Sequence, residues 1–203
     1  MAEPGQITEH LARLREGDDG ALEDLFPLVY AELRALAQSQ LNFERTDHTL
    51  SATGLVHEAY LRLARQNRIR AEDRLQFLGI AGATMRRILV DWARAKKRAK
   101  RGGGTPNVPL HELDGLVGEE DADEILALHD ALERLVEVNE RGAKVVEHRF
   151  FAGLSVEETA SLLGVSGKTV QRDWILARAW LRKEVTLDLG RESGEPAGQP
   201  SAP

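Results

Sequence analysis

Apolar residues recur every three or four positions through most of the chain. Leu11 and Leu14, then Leu22, Leu25, Val29, Leu33 and Leu36, set the spacing. That spacing lays one apolar stripe along each of a series of helices. It returns in Leu55, Val56, Ala59, Tyr60 and Leu63, in Leu78, Ala81, Met85, Ile88, Leu89 and Trp92, and in Ile125, Leu128, Leu132 and Leu135. No alternating Val/Ile/Thr run bounded by Asn-Gly or Asp-Gly breaks in, so strands are nearly excluded. A chain of 203 residues that is 42% hydrophobic and only 5% aromatic suits an all-α fold better than a β-sandwich.

The breaks in the stripe give the organisation. Gly17 and Gly20 mark a turn, and the stretches 42–53 and 66–74 are polar and irregular. A long helix is expected from about Leu75 to Ala99, weakened in its first turns by Gly79 and Gly82. Three successive glycines (Gly102, Gly103, Gly104), two prolines and a late acidic cluster then interrupt any element. The expectation is two small helical domains, 1–100 and 125–185, joined by a flexible acidic linker at 101–124. The Gly, Pro, Ser and Glu of 186–203 read as a disordered tail.

The net charge of −6 argues against a polyanion partner only if it is evenly spread. It is not. Arg86, Arg87, Arg94, Lys96, Lys97, Arg98, Lys100 and Arg101 lie together with one acid, Asp91. Glu112, Asp114, Glu119, Glu120, Asp121, Asp123 and Glu124 follow without a Lys or Arg among them. The last helix is basic again, with Lys168, Arg172, Arg178, Arg182 and Lys183. Two basic helices flanking an acidic linker is a sign pattern that a polyanion can exploit.

Residues 155–181 carry the sharpest local signal. Ser155 and Glu158 form a capping box at the start of one helix. Leu163-Gly164-Val165-Ser166 makes a tight turn into the next, and small Ala160 permits a close crossing plugged by Leu163, Val165 and Val170. Lys168, Thr169, Gln171 and Arg172 then project outward near the N-terminus of the second helix, where a helix-turn-helix reaches base edges. Arg178 and Arg182 suit phosphate contacts.

Catalytic signatures are missing. His57-Glu58 is followed by Leu61 where a metalloprotease helix would need its second histidine. Gly102–Thr105 lacks the lysine of a phosphate loop, and no G-x-S-x-G occurs. With no cysteine there is no disulfide, thiolate metal site or cysteine nucleophile. No enzymatic activity, metal or cofactor is expected. The N-terminal residues MAEPGQITEHLARL do not read as a secretory signal, and no apolar run approaches the roughly 20 residues that span a bilayer. A cytoplasmic location is expected.

The order of these parts resembles that of a bacterial sigma factor of the extracytoplasmic-function (ECF) class, over roughly residues 7–185. Residues 49–63 (TLSATGLVHEAYLRL) look like the core-polymerase-binding region 2.2, residues 85–98 (MRRILVDWARAKKR) like regions 2.3 and 2.4, and the helix-turn-helix like region 4.2. The resemblance implies that Leu55, His57, Glu58, Leu61 and Arg62 meet core RNA polymerase at the clamp of its largest subunit. It implies that Arg87, Arg94, Lys97 and Arg98 meet the −10 element of promoter DNA, and that a flipped base is captured near 66–74. The helix holding Lys168, Thr169, Gln171, Arg172 and Arg178 would read the −35 element, with this half docking on the flap of the second-largest subunit. It admits an anti-sigma factor as a further partner and implies no membrane contact. Phe77 and Trp92 fit core packing better than base stacking. One departure is Thr159, where the family pattern has a β-branched aliphatic residue. A stand-alone helix-turn-helix regulator, binding DNA as a dimer, is the other reading of the same residues.

Overall fold

A computed structural model of the chain describes residues 4–18, 20–41, 49–65, 69–100 and 119–192. Among them are helices α1 (Pro4–Glu16), α2 (Gly20–Leu41), α3 (Thr49–Ala64), α4 (Arg74–Lys100), α5 (Glu119–Val138), α6 (Glu140–Val146), α7 (Val156–Leu163) and α8 (Gly167–Glu192), with a π-helical turn at Glu147–Phe151 and no strand. The all-α reading is therefore met, and the apolar stripes form the core. Leu11, Leu25, Leu33, Leu55, Leu63, Met85 and Ile88 are all fully buried among α1–α4. Phe77 and Trp92 are buried there as well, so neither offers a stacking plane. Gly17 turns α1 into α2 with φ +92. Asp18 then accepts a bond from the Gly20 amide, and Arg13 ties the corner to both Asp18 and Asp24.

A second cluster joins α5, α6 and α8 through Leu132, Leu135, Val146, Ala177 and Leu181. The two halves of the chain also touch. Ala122, Ile125, Ala152 and Leu154 are buried in the same cluster as α1–α4. A buried polar side chain spans the contact: Gln40, 2% exposed, donates from Nε2 to the Phe151 carbonyl at 2.8 Å and to the Gly82 carbonyl at 3.3 Å. Gly82 is what lets α4 approach, because a Cβ at that position would run into the Phe151 carbonyl oxygen. Glycine at 82 therefore trades helix propensity for contact. The widened π turn ends at Ala152 and Gly153 (φ +66) and delivers this carbonyl to the seam.

Three boundaries differ from the sequence reading. Helix α5 begins at Glu119, inside the stretch read as linker. Near its start Asp123 pairs with Lys97 at 3.2 Å, and Ala122 is buried. Residues 101–118 lie outside the described residues, as do 42–48 and 66–68. Helix α8 runs on to Glu192, into the stretch read as tail. Arg134 of α5 holds it there through Glu184 at 3.2 Å and Asp188 at 2.6 Å. Helix α3 begins at Thr49, inside the stretch 42–53 read as polar and irregular. Helix α6 starts at Glu140, capped by Asn139 on the Gly142 amide, and runs into the π turn.

Two histidines line the seam. Burial, reinforced by Arg86 whose Nη1 lies 3.3 Å from Nδ1, pushes His129 below its ordinary value; Arg94 acts the same way, while Glu133 and Asp130 oppose. Burial also lowers His148, helped by Lys144 and opposed by Glu147. The folded chain thus binds fewer protons than the unfolded chain just below the ordinary histidine value of 6.5. Stability is expected to fall as pH drops below that value. Urea unfolding should show a lower midpoint at pH 5.5 than at pH 7.5. The lowered carboxyls of Asp18 and Glu158 have ordinary values of 3.8 and 4.5, so they lose their contribution only in more acidic solution.

Candidate nucleic-acid interface

The helix-turn-helix is built as its residues dictate. Ser155 Oγ accepts from the Glu158 amide at 3.0 Å, and Glu158 Oε2 accepts from the Ser155 amide at 2.8 Å, closing the capping box. These bonds, and Arg74 at 3.1 Å, hold the Glu158 carboxyl below its usual range. Gly164 takes the left-handed conformation (φ 64, ψ 33), and the Val165 amide reaches back to the Ala160 carbonyl at 3.0 Å. Ala160, Val170 and Val145 are buried at the crossing, with Val156, Leu163, Val165 and Trp174 packed around them. Ser166 Oγ accepts from the Thr169 amide at 3.2 Å and starts α8.

Thr159 lies fully buried in α7, and its hydroxyl has no hydrogen-bond partner. An unpaired buried hydroxyl carries a desolvation penalty of about 1–3 kcal/mol. Thr159→Val keeps the shape and removes the hydroxyl. It should stabilise the chain by about 1 kcal/mol, at the low end of that penalty, read as a raised denaturant midpoint at constant slope.

On α8, Val170, Asp173, Ala177 and Leu181 point inward. Lys168, Gln171, Arg172 and Arg178 are exposed, so the structure brings these basic and amide groups to the outer side of one helix. Thr169 is half-buried, and its hydroxyl lies 2.9 Å from the Ser166 hydroxyl, engaged in the cap. The sequence reading missed Asp173. Its side chain is 5% exposed and bonds Arg141 Nε at 2.5 Å, pinning α8 to α6. An acid in the middle of an otherwise apolar stripe was the available signal. Arg172 Nε lies 3.6 Å from the same carboxylate.

On α4, Arg87, Arg94 and Arg98 are exposed and, at spacings of seven and four, share one side of the helix. Asp91 lies in the same row and bonds Arg62 of α3 at 2.7 Å, so the row continues onto the neighbouring helix. Lys97 sits apart, half-buried against Asp123. Lys96 covers the Trp92 ring at 4.8 Å from its centroid. Arg86 points to the seam instead, with Glu147 at 3.4 Å and the Phe151 ring at 5.4 Å.

On α3, His57 is exposed and Leu61 is 47% exposed, flanked by the Glu58–Arg62 pair at 3.4 Å. Leu55 faces the other way and is fully buried. It supports this face and cannot be part of its surface.

An apolar groove of about 480 Å³ opens between α5, the α6–π segment and α8. Leu128, Phe150, Trp174, Leu181 and Val185 line it, with Arg178 and Arg182 contributing charge. No grouping of His, Asp and Glu suited to a metal ion occurs among the described residues. None of their helices is long and apolar enough to cross a membrane.

No curated protein and no solved structure matches the chain. A family model described as ECF sigma factor matches residues 4–187, taking in all four α1–α4 helices and the helix-turn-helix together. The chain belongs to the ECF sigma factor family, and with it to the sigma factors that act in transcription initiation alongside core RNA polymerase and promoter DNA.

Proposed function

We propose that this chain is a dissociable specificity subunit that binds core polymerase, recognises −10 and −35 promoter elements, and assists promoter melting. The observation that carries this reading is the outward row of Lys168, Gln171 and Arg172 on a capped, glycine-turned recognition helix, within a family match that also covers the other half. Base edges in the major groove are the targets for such a row, and the phosphates flanking them suit Arg178. Arg87, Arg94 and Arg98 provide the second cationic surface, assigned to the −10 element, with Lys97 able to join it once Asp123 is exchanged for phosphate. His57, Glu58, Leu61 and Arg62 form the mixed polar and apolar face assigned to the clamp of the largest subunit. The groove beside α8 has the apolar lining that a helical element of the second-largest subunit, at its flap, requires. A stand-alone dimeric regulator would need the helix-turn-helix alone and leaves the cationic row of α4 without a use.

Reconstitution with bacterial core polymerase, followed by transcript mapping on genomic templates, tests the proposal. Promoter-specific transcripts sharing −10 and −35 sequences are expected. Failure to bind core polymerase, together with no specific transcript, would remove it.

A further inference from the structure

Two large apolar side chains stand exposed in the middle of the recognition helix: Ile175 is 65% exposed and Leu176 57%. Ile175 lies opposite the buried row of Val170, Asp173, Ala177 and Leu181, and Leu176 lies to one side of it. At about 100° per residue, Ile175 falls on the same outer face as Lys168 and Arg172, one turn further along the helix, with Leu176 beside it. From 168 to 176 the axis advances about 12 Å, comparable with the width of the major groove. We propose that Ile175 and Leu176 are specificity-determining residues that read thymine C5-methyl groups in the −35 element.

The chemistry leaves one kind of target for them. A helix held in the major groove by Lys168 and Arg172 meets hydrogen-bonding groups on every base edge, and the apolar group exposed there is the thymine methyl. An Ile-Leu pair left against G·C edges would desolvate polar atoms without pairing them. Set over one or two A·T pairs, the same side chains bury methyls and reject cytosine at those positions. The surrounding charges suit DNA as the occupant, since Arg172, Arg178, Arg182 and Lys183 are all exposed along the same helix.

This inference rests on the proposed promoter reading, and its test separates the two. Holoenzyme is assembled from the full chain and core polymerase, and its promoter is mapped. Each thymine of the −35 element is then replaced in turn by deoxyuridine, which removes the methyl and keeps every hydrogen bond. The wild type is expected to lose affinity about fourfold per contacted methyl, the worth of one buried methylene-sized group. Ile175→Ala and Leu176→Ala should each bind thymine and uracil alike at the methyl that the removed side chain covers, while keeping the wild-type thermal midpoint, since both side chains are exposed. Equal wild-type binding to thymine and uracil at every position would overturn the inference and leave the sigma reading intact. So would a −35 element of G·C pairs alone, or a methyl effect that survives both substitutions. Weakened holoenzyme assembly in these variants, with discrimination unchanged in the holoenzyme that does form, would assign the pair to a protein partner instead. Absence of any promoter-specific complex would remove both readings.

Discussion

Gly82→Ala is expected to destabilise the chain by about 1–3 kcal/mol, the range for overpacking a well-filled site, although alanine is the better helix former. In an open helix the exchange would gain about 1 kcal/mol. At position 82 the new Cβ meets the Phe151 carbonyl and backbone rather than the yielding end of a side chain. Relief requires α4 and the π turn to part, which also breaks the two bonds made by Gln40. Gly79, one turn earlier in α4, provides the control. Its nearest neighbour to an added Cβ is the His148 ring at 3.9 Å, an ordinary contact. Gly79→Ala should therefore stabilise by up to about 1 kcal/mol. Opposite signs for two Gly→Ala changes in one helix, read from denaturant midpoints, would establish the seam as a packed interface. A stabilised Gly82→Ala would mean that the two halves do not rest on each other in solution.

The seam is also where sequence reading stops. Helix stripes, the capping box and the left-handed Gly164 turn rest on spacings within ten residues, and periodicity reports these directly. Gln40, Gly82 and Phe151 meet across 42 and 111 positions of sequence separation, and no local pattern marks such a meeting. Gly82 read as a weak point in a helix because its cost is local while its benefit lies in another element. Asp173 was missed for a related reason: its partner Arg141 is 32 positions away. The ends of the linker and tail were misplaced because composition registers breakers and charge. It does not register Lys97 opposite Asp123, or Arg134 opposite Glu184 and Asp188. Leu55 was grouped with a partner-facing set from its place in the segment, whereas its position in the stripe turns it inward.

Those tertiary restraints bear on recognition. A base-reading helix needs its outer side chains held at a fixed angle to the rest of the domain. On α8 the Arg141–Asp173 pair supplies one such tie and buried Val170 and Ala177 supply others. The carboxylate that bonds Arg141 also lies 3.6 Å from Arg172. Under the proposed promoter reading, Asp173 is a positioning residue that acts through Arg141 and lies beside a guanidinium whose side chain is 65% exposed.

Arg172→Ala should accordingly weaken −35 recognition by about 1–3 kcal/mol, roughly fivefold to 150-fold, through loss of a bidentate contact to one guanine. The loss should be concentrated at a single base pair. Holoenzyme affinities for promoters substituted at each −35 position would then show discrimination flattened at that pair and retained elsewhere. Arg178→Ala should behave differently. A phosphate contact carries no sequence information, so its removal lowers affinity evenly across the panel and reduces the salt slope by about one. Arg172→Ala changes base preference, and Arg178→Ala changes salt dependence. An even loss across the panel for Arg172→Ala would move that guanidinium to the backbone. Sequence discrimination would then rest on Lys168, Gln171 and the apolar pair beside them.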